Sequence, residues 1–264
     1  MLRAAAAFLL TLSWIGCAAA DTFGEMTRSM SVARHANVVV ATTASPETAA
    51  EHARRISAYE AEIRRRHFSS LEARPMRFVV GDERVDLEKL AGAPTAGAQA
   101  PAPFGYYLRD DRIVVASIAR GDGGVLRELT RALLVDDNPD APLWFETAMA
   151  SLYESSEGHG AELAPILDER MAQIGADTDL GYDVFAGICD CYPASPEQLA
   201  LMRLLLVHLH ERGELASLYE VIERKGRYVT LLESLDAMGF DRAAWKRYAE
   251  QSVRSFRKAR AGSS

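Results

Sequence analysis

The chain has 264 residues, 48% of them hydrophobic and 25% charged, which excludes a disordered, collagen-like or coiled-coil protein and suits one large domain or two small ones. Its 37 acids against 30 Lys and Arg give a formal charge of −7. Nucleic-acid affinity comes mainly from basic side chains on phosphates, so no nucleic-acid partner is expected. The imbalance is local. Residues 151–200 hold ten acids against Arg170 alone, a charge of −9, and the remainder is nearly neutral.

Residues 1–20 read as an export signal. Met1-Leu2-Arg3 is a short positive start, Ala4 to Ile15 an apolar run, and Ala18-Ala19-Ala20 a small-residue cleavage site before Asp21. The apolar run, about twelve residues, is too short for the ~20 that cross a bilayer as a helix. Ile15-Gly16-Cys17 resembles the end of a bacterial lipoprotein signal, although Trp14 stands where an aliphatic residue is usual. Lipidation at Cys17 therefore stays open beside cleavage after Ala20. Either route predicts an exported protein, periplasmic or secreted, and lipid-anchored in the first case. No later segment is apolar enough to be a transmembrane span.

Residues 36–42 predict a first strand. Pro46 to about His67 predicts a long amphipathic helix with Ala49, Ile56, Tyr59 and Ile63 inward, ending in the cations of Arg64-Arg65-Arg66. Met76–Val80 predicts a second strand, and residues 91–103 form a low-complexity loop. Gly105–Leu108 and Arg112–Ala116 predict a hairpin turning at Arg109-Asp110-Asp111. Beyond Asp122, a predicted N-cap, helices are expected near 123–135, 142–156, 161–174, 196–212, 214–224, 228–237 and 241–258. The expected fold class is α+β, with an α/β part over residues 21–160 and an all-helical part over 161–264.

The chemistry-bearing segment is the helix pair at 125–134 and 143–154. The first reads Arg127-Glu128-Leu129-Thr130-Arg131-Ala132-Leu133, the second Pro142-Leu143-Trp144-Phe145-Glu146-Thr147-Ala148-Met149-Ala150. This pair resembles the core of the gluzincin metallopeptidases, in particular the peptidase-MA-like group of exported bacterial proteins. There the first helix carries His-Glu-x-x-His and the second Pro-x-Trp-[Leu/Phe]-x-Glu-Gly-[Leu/Met]-Ala, whose Glu is the third zinc ligand. Glu128, Leu129, Thr130, Ala132, Leu133, Pro142, Trp144, Phe145, Met149 and Ala150 match. The two zinc histidines, however, fall on Arg127 and Arg131, the third ligand on Thr147 and the glycine on Ala148. Only Glu128, the family's general base, is kept. The resemblance is specific over residues 120–155 and extends loosely over 36–250, where Met238-Gly239-Phe240 and Trp245 to Tyr248 look like the family's closing helices.

The departures decide the chemistry expected. Two His at i and i+4 hold Zn²⁺ through neutral ring nitrogens, whereas arginine stays protonated and has no lone pair to give. Without zinc nothing activates a water for Glu128, which is left vestigial. Glu146 lies one residue off the ligand position, about 100° round the helix, and Glu154 about 10 Å further along the face of Thr147. Neither rebuilds a three-ligand site, so no metal and no cofactor are expected. Arg127 and Arg131 are instead expected to pair with Glu146, Glu128 or Glu154 and bolt the two helices together, with Trp144 beside them. The resemblance thus implies a gluzincin-like core in a catalytically inactive pseudo-metallopeptidase. It would bind or scaffold an envelope protein or an extended peptide held by strand addition. Two other readings stay open: a hydrolase working around Glu128 by a non-standard site, and a partner-binding protein acting through the acidic region 151–200.

Other residues carry less. Cys189 and Cys191 read as a local disulfide or two loop thiols, because nothing nearby completes a metal site. His208 and His210, two apart on a helix, point to different sides, so a surface or helix-end role is expected. Asp177 to Asp183 lacks the glycine and glutamate positions of a calcium loop and reads as an acidic solvated loop. There is no phosphate-cradling, dinucleotide or nucleophile-elbow motif.

Overall fold

A computed structural model describes residues 22–81, 105–119, 121–157, 163–186, 188 and 195–262. Cys17 with the rest of the export signal, residues 91–103, Cys189 and Cys191 lie outside them. Strands β1 (Ser31–His35), β2 (Val38–Thr42), β3 (Met76–Gly81), β4 (Gly105–Leu108) and β5 (Ile113–Ser117) form a mixed sheet in the order β1-β2-β3-β5-β4. The pairs β2–β3 and β3–β5 are parallel; β1–β2 and β4–β5 are antiparallel. The three central strands are nearly all Val, Ile, Phe and Ala because both of their faces are covered. Val38, Val40, Phe78, Val80, Val114 and Ala116 face the main core. The alternate residues Ala41, Val79, Ile113 and Val115 face a second cluster capped by Phe23 of the short helix α1 (Thr22–Met26).

Helix α2 (Pro46–His67) is the crossover between β2 and β3. Ser45 caps it, accepting from the Thr48 N–H at 3.2 Å, and Pro46 sits at its first turn. Helices α3 (Gly123–Asp137) and α4 (Leu143–Leu152) follow the sheet. Next come helices α5 (Pro196–Glu211), α6 (Leu215–Lys225), α7 (Leu231–Ala237) and α8 (Arg242–Ala261). Eight helices in all accompany the sheet among the described residues, an α+β fold. Side-chain and backbone bonds close into capping boxes at Ser195–Gln198 and Thr230–Glu233. One apolar core runs without a break from Val38 on β2 to Val253 on α8.

Four expectations need correction. The first strand is two: β1 and β2 meet in a tight turn at Ala36, whose φ of 48° is a conformation that usually signals itself with glycine. The predicted helix at 161–174 is instead a two-residue strand, β7 (Ala164–Pro165), paired with β6 (Ser156–Glu157), and a 3₁₀ turn at Glu169–Gln173. Pro165 cannot continue a helix, and Asp168 caps the turn through the Arg170 N–H at 2.9 Å. The helix at 142–156 stops at Leu152, so Glu154 lies in a turn and not along the face of Thr147. Asp122 stands at the start of α3 without a side-chain capping bond. Its carboxylate turns to α2, where Arg55 Nη2 donates to Oδ1 at 3.0 Å and the Tyr59 hydroxyl donates to Oδ2 at 2.8 Å.

Candidate functional site

Helix α3 packs on β5 and β4 with one face and on α4 with another. Arg127, Glu128 and Arg131 share the stripe between them, because residues three and four apart on a helix are neighbours. Arg131 donates from Nε to Glu128 Oε2 at 3.0 Å and from Nη1 to Glu146 Oε1 at 2.7 Å. The other oxygen of Glu146 accepts from Arg109 Nη2, at the end of the β4–β5 hairpin. Glu128 and Glu146 are only 2% and 4% exposed. A hairpin, α3 and α4 are thereby joined through buried charges. Burial opposes the charge on Arg131, yet Glu128 and Glu146 hold its pKa above the ordinary value. Burial pushes the carboxyl of Glu128 up, against the pull of Arg131 and Arg127.

Arg127 is different. Its Nε stands 3.4 Å from Glu128 Oε1 and its Nη1 4.0 Å from Glu154 Oε1, and the buried Nε makes no hydrogen bond among the described residues. Burial pulls its pKa below the ordinary value. Glu154 also meets Arg170 of the 3₁₀ turn through Oε2. Thr147 faces a different space from its neighbour Glu146. With Arg127, Ser151, Glu154, Arg170 and Gln173 it lines a cavity of about 370 Å³. Trp144 is buried and points away, its indole N–H donating to the carbonyl of Val229 at 2.8 Å and tying α4 to the segment before α7.

Two glycines make the approach of these elements possible. A Cβ on Gly105 would stand 2.8 Å from the Val115 carbonyl oxygen and 3.2 Å from Glu128 Cγ. One on Gly123 would stand 2.3 Å from the carbonyl oxygen of Glu154. Any side chain at either position would push the strand or the helix off the charged groups.

Zinc does not suit this donor set. Arg127 and Arg131 offer only N–H groups, and the oxygens of Glu128 and Glu146 are engaged by guanidinium groups. Among the described residues, no three His, Cys, Asp or Glu side chains are placed to hold a metal ion together. Sequence reasoning missed Arg109, taken only as a turn residue, and Arg170, taken only as the one base of the acidic block. One signal pointed to them: two arginines facing Glu128, Glu146 and Glu154 leave a negative charge unbalanced.

The acidic block is partly consumed inside the fold. Besides Glu154, Asp168 accepts from the Ser155 hydroxyl at 2.5 Å, and Glu197 accepts from the Gly175 N–H at 3.1 Å and from the Thr178 hydroxyl. Asp177 and Asp183 are exposed.

A second cavity, about 480 Å³, lies where the end of α2 meets α4, α5 and α6, with His67, Phe145, His210 and Tyr219 in its lining. His67 Nε2 bonds the Tyr153 hydroxyl at 2.8 Å, and the rings of His67 and His210 are 5.8 Å apart. Both histidines of the α5 pair stand in its last turn, in keeping with a helix-end role; His210 is half-buried, and the surface alternative fails for His208. That ring is buried, 4.4 Å from the Tyr248 ring and close to Trp245 and Phe240. Burial, with the nearby His210 and Arg66, lowers the pKa of His67 to about 3. Its folded value lies below the unfolded one of about 6.5, so stability from the neutral ring is complete above pH 6.5 and is lost as pH falls towards 3. His208 and His210 shift in the same direction, by burial first. Between pH 7 and pH 5, His67 alone is expected to remove about 2 kcal/mol of stability. Urea titrations at several pH values test this: His67→Gln should flatten the acid limb, and an unchanged slope would refute the assignment.

The chain matches no protein-family model and no curated protein. No helix among the described residues is long and apolar enough to cross a membrane.

Proposed function

We propose that this is an exported, peptidase-MA-like protein whose cleft binds a ligand without cleaving it. One observation carries the reading: the positions where the resemblance sets metal ligands hold Arg127, Arg131 and Thr147, and Arg131 is locked between two buried carboxylates. Glu128 is the residue an enzymatic reading would need. It is nearly inaccessible and sits between two guanidinium groups, so solvent and substrate reach its carboxylate poorly and its charge is already paired. The sheet edge supports a binding role. Among the described strands β4 is at the sheet edge, beside α3, and an edge strand offers backbone groups to an extended peptide.

The test is a metal titration of the mature chain and of Arg127→His/Arg131→His/Thr147→Glu. The native chain is expected to retain no stoichiometric zinc and to cleave no peptide pool with or without added Zn²⁺. The triple variant is expected to bind one Zn²⁺, or Co²⁺ with a tetrahedral absorption spectrum, with circular dichroism confirming its fold. Zinc at one per native chain, or zinc-dependent cleavage, would overturn the binding reading. A folded triple variant that ignores both metals would overturn the family resemblance.

A further inference from the structure

We propose that the cavity beside Arg127 is a carboxylate-binding site, and that its occupant is the C-terminus of a peptide lying in the cleft. The carboxylate preference stands on the geometry; naming a peptide rests on the binding reading above.

Arg127 is the starting point. Its side chain is 18% exposed, and its Nε is buried without a hydrogen bond, held only by the loose ion pair to Glu128 at 3.4 Å. A buried donor left without a hydrogen bond is unfavourable unless something reaches the group. The open side of this one is a cavity of about 370 Å³. Thr147 lines the same cavity, and its hydroxyl makes no hydrogen bond among the described residues. The Ser151 hydroxyl donates to the Ala148 carbonyl at 2.7 Å, which leaves its lone pairs and not its proton for a ligand. Leu199 and Pro196 complete the lining with apolar surface. A planar anion on a short apolar stem fits these groups: two oxygens for the guanidinium fork and Thr147, carbon for Leu199.

Charge selects the anion. The cavity lining holds two guanidinium groups, Arg127 and Arg170, against one carboxylate, Glu154. One positive charge is in excess. A carboxylate neutralises it; a phosphate dianion would overshoot, next to Glu154. For a protein that binds peptides, as the reading above has it, the carboxylate that comes on such a short apolar stem is a chain terminus.

The experiment uses the mature chain at pH 7 and follows the Arg Nε–H resonances by NMR. Its probes are N-acetyl-pentaalanine as free acid, the same peptide as C-terminal amide, sodium propionate and inorganic phosphate. The free acid is expected to shift the Arg127 Nε signal and to bind at least tenfold more tightly than the amide, than propionate and than phosphate. Arg127→Gln, which removes no hydrogen bond among the described residues, should lower affinity at least tenfold at an unchanged melting temperature. Thr147→Val should lower it less. Propionate binding as tightly as the peptide would keep the carboxylate site and overturn the peptide occupant. Acid and amide binding alike would overturn the carboxylate site and leave the cleft reading intact. Tighter binding of phosphate, or no shift with any probe, would overturn the proposal.

Discussion

Replacing Arg131 by Ala is expected to lower the unfolding free energy by about 3–5 kcal/mol, among the larger effects a single substitution produces. The reason is what the change leaves behind. Glu128 and Glu146 are nearly inaccessible to water, and Arg131 donates a hydrogen bond to each. Without it two carboxylates remain buried between α3 and α4, with Arg127 at 3.4 Å on one side and Arg109 on the other as the counter-ions left among the described residues. Arg127→Ala is the matched control. It removes the same group four residues earlier but breaks no hydrogen bond among the described residues, so a loss under about 1 kcal/mol is expected. Glu128→Leu/Arg131→Met/Glu146→Leu should recover most of the stability lost in Arg131→Ala, because well-packed apolar groups often replace a buried ion network without penalty. Urea unfolding of the set decides. Equal small losses for Arg131→Ala and Arg127→Ala would mean the network contributes nothing.

That contrast also marks how far the sequence could be read. The central strands were legible because burial on both faces makes them continuous apolar runs, and α2 because Ser45-Pro46 and a 3.6-residue period announce it. β1 was not legible. Its sequence Ser-Val-Ala-Arg-His is an edge strand with little to bury, and its turn sits at Ala36, where no glycine advertises it. The 161–174 segment failed because its polar groups are satisfied by distant residues, which local periodicity cannot see. At the site, the spacing of Arg127, Glu128 and Arg131 was enough to place them on one stripe and to nominate Glu146 and Glu154 as partners. Arg109 and Arg170 lie 37 and 16 positions from the acids they meet. Only the tertiary fold brings them there.

Arg203 carries the second large effect, and it links stability to the carboxylate cavity. It stands in the middle of Leu201-Met202-Arg203-Leu204-Leu205-Leu206 on α5, 1% exposed, where an aliphatic residue would be the ordinary choice. Its Nη2 donates to two carbonyls, Ser155 at 2.9 Å and Ile166 at 2.6 Å, and its Nε stands 3.6 Å from Asp168 Oδ2. These three residues are the frame of the chain between α4 and the 3₁₀ turn. Glu154 precedes the frame and Arg170 follows it, so the two sides of the cavity are held in place from below by one guanidinium. Arg203→Met keeps the volume and removes the donors, so the Ile166 carbonyl loses the guanidinium. The Ser155 carbonyl and Asp168 keep only their partners within the frame, the Ile166 N–H for the first and the Ser155 hydroxyl and Arg170 N–H for the second. A loss of about 3–5 kcal/mol is expected. Arg203→Lys should fall between, since one ammonium does not reproduce the flat fork that spans two carbonyls. The second readout is ligand affinity: where Arg203→Lys is still folded, its affinity for the free-acid peptide should drop although no atom of residue 203 lines the cavity. A loss below 1 kcal/mol for Arg203→Met would show that the frame holds itself, and unchanged affinity in folded Arg203→Lys would separate the frame from the site.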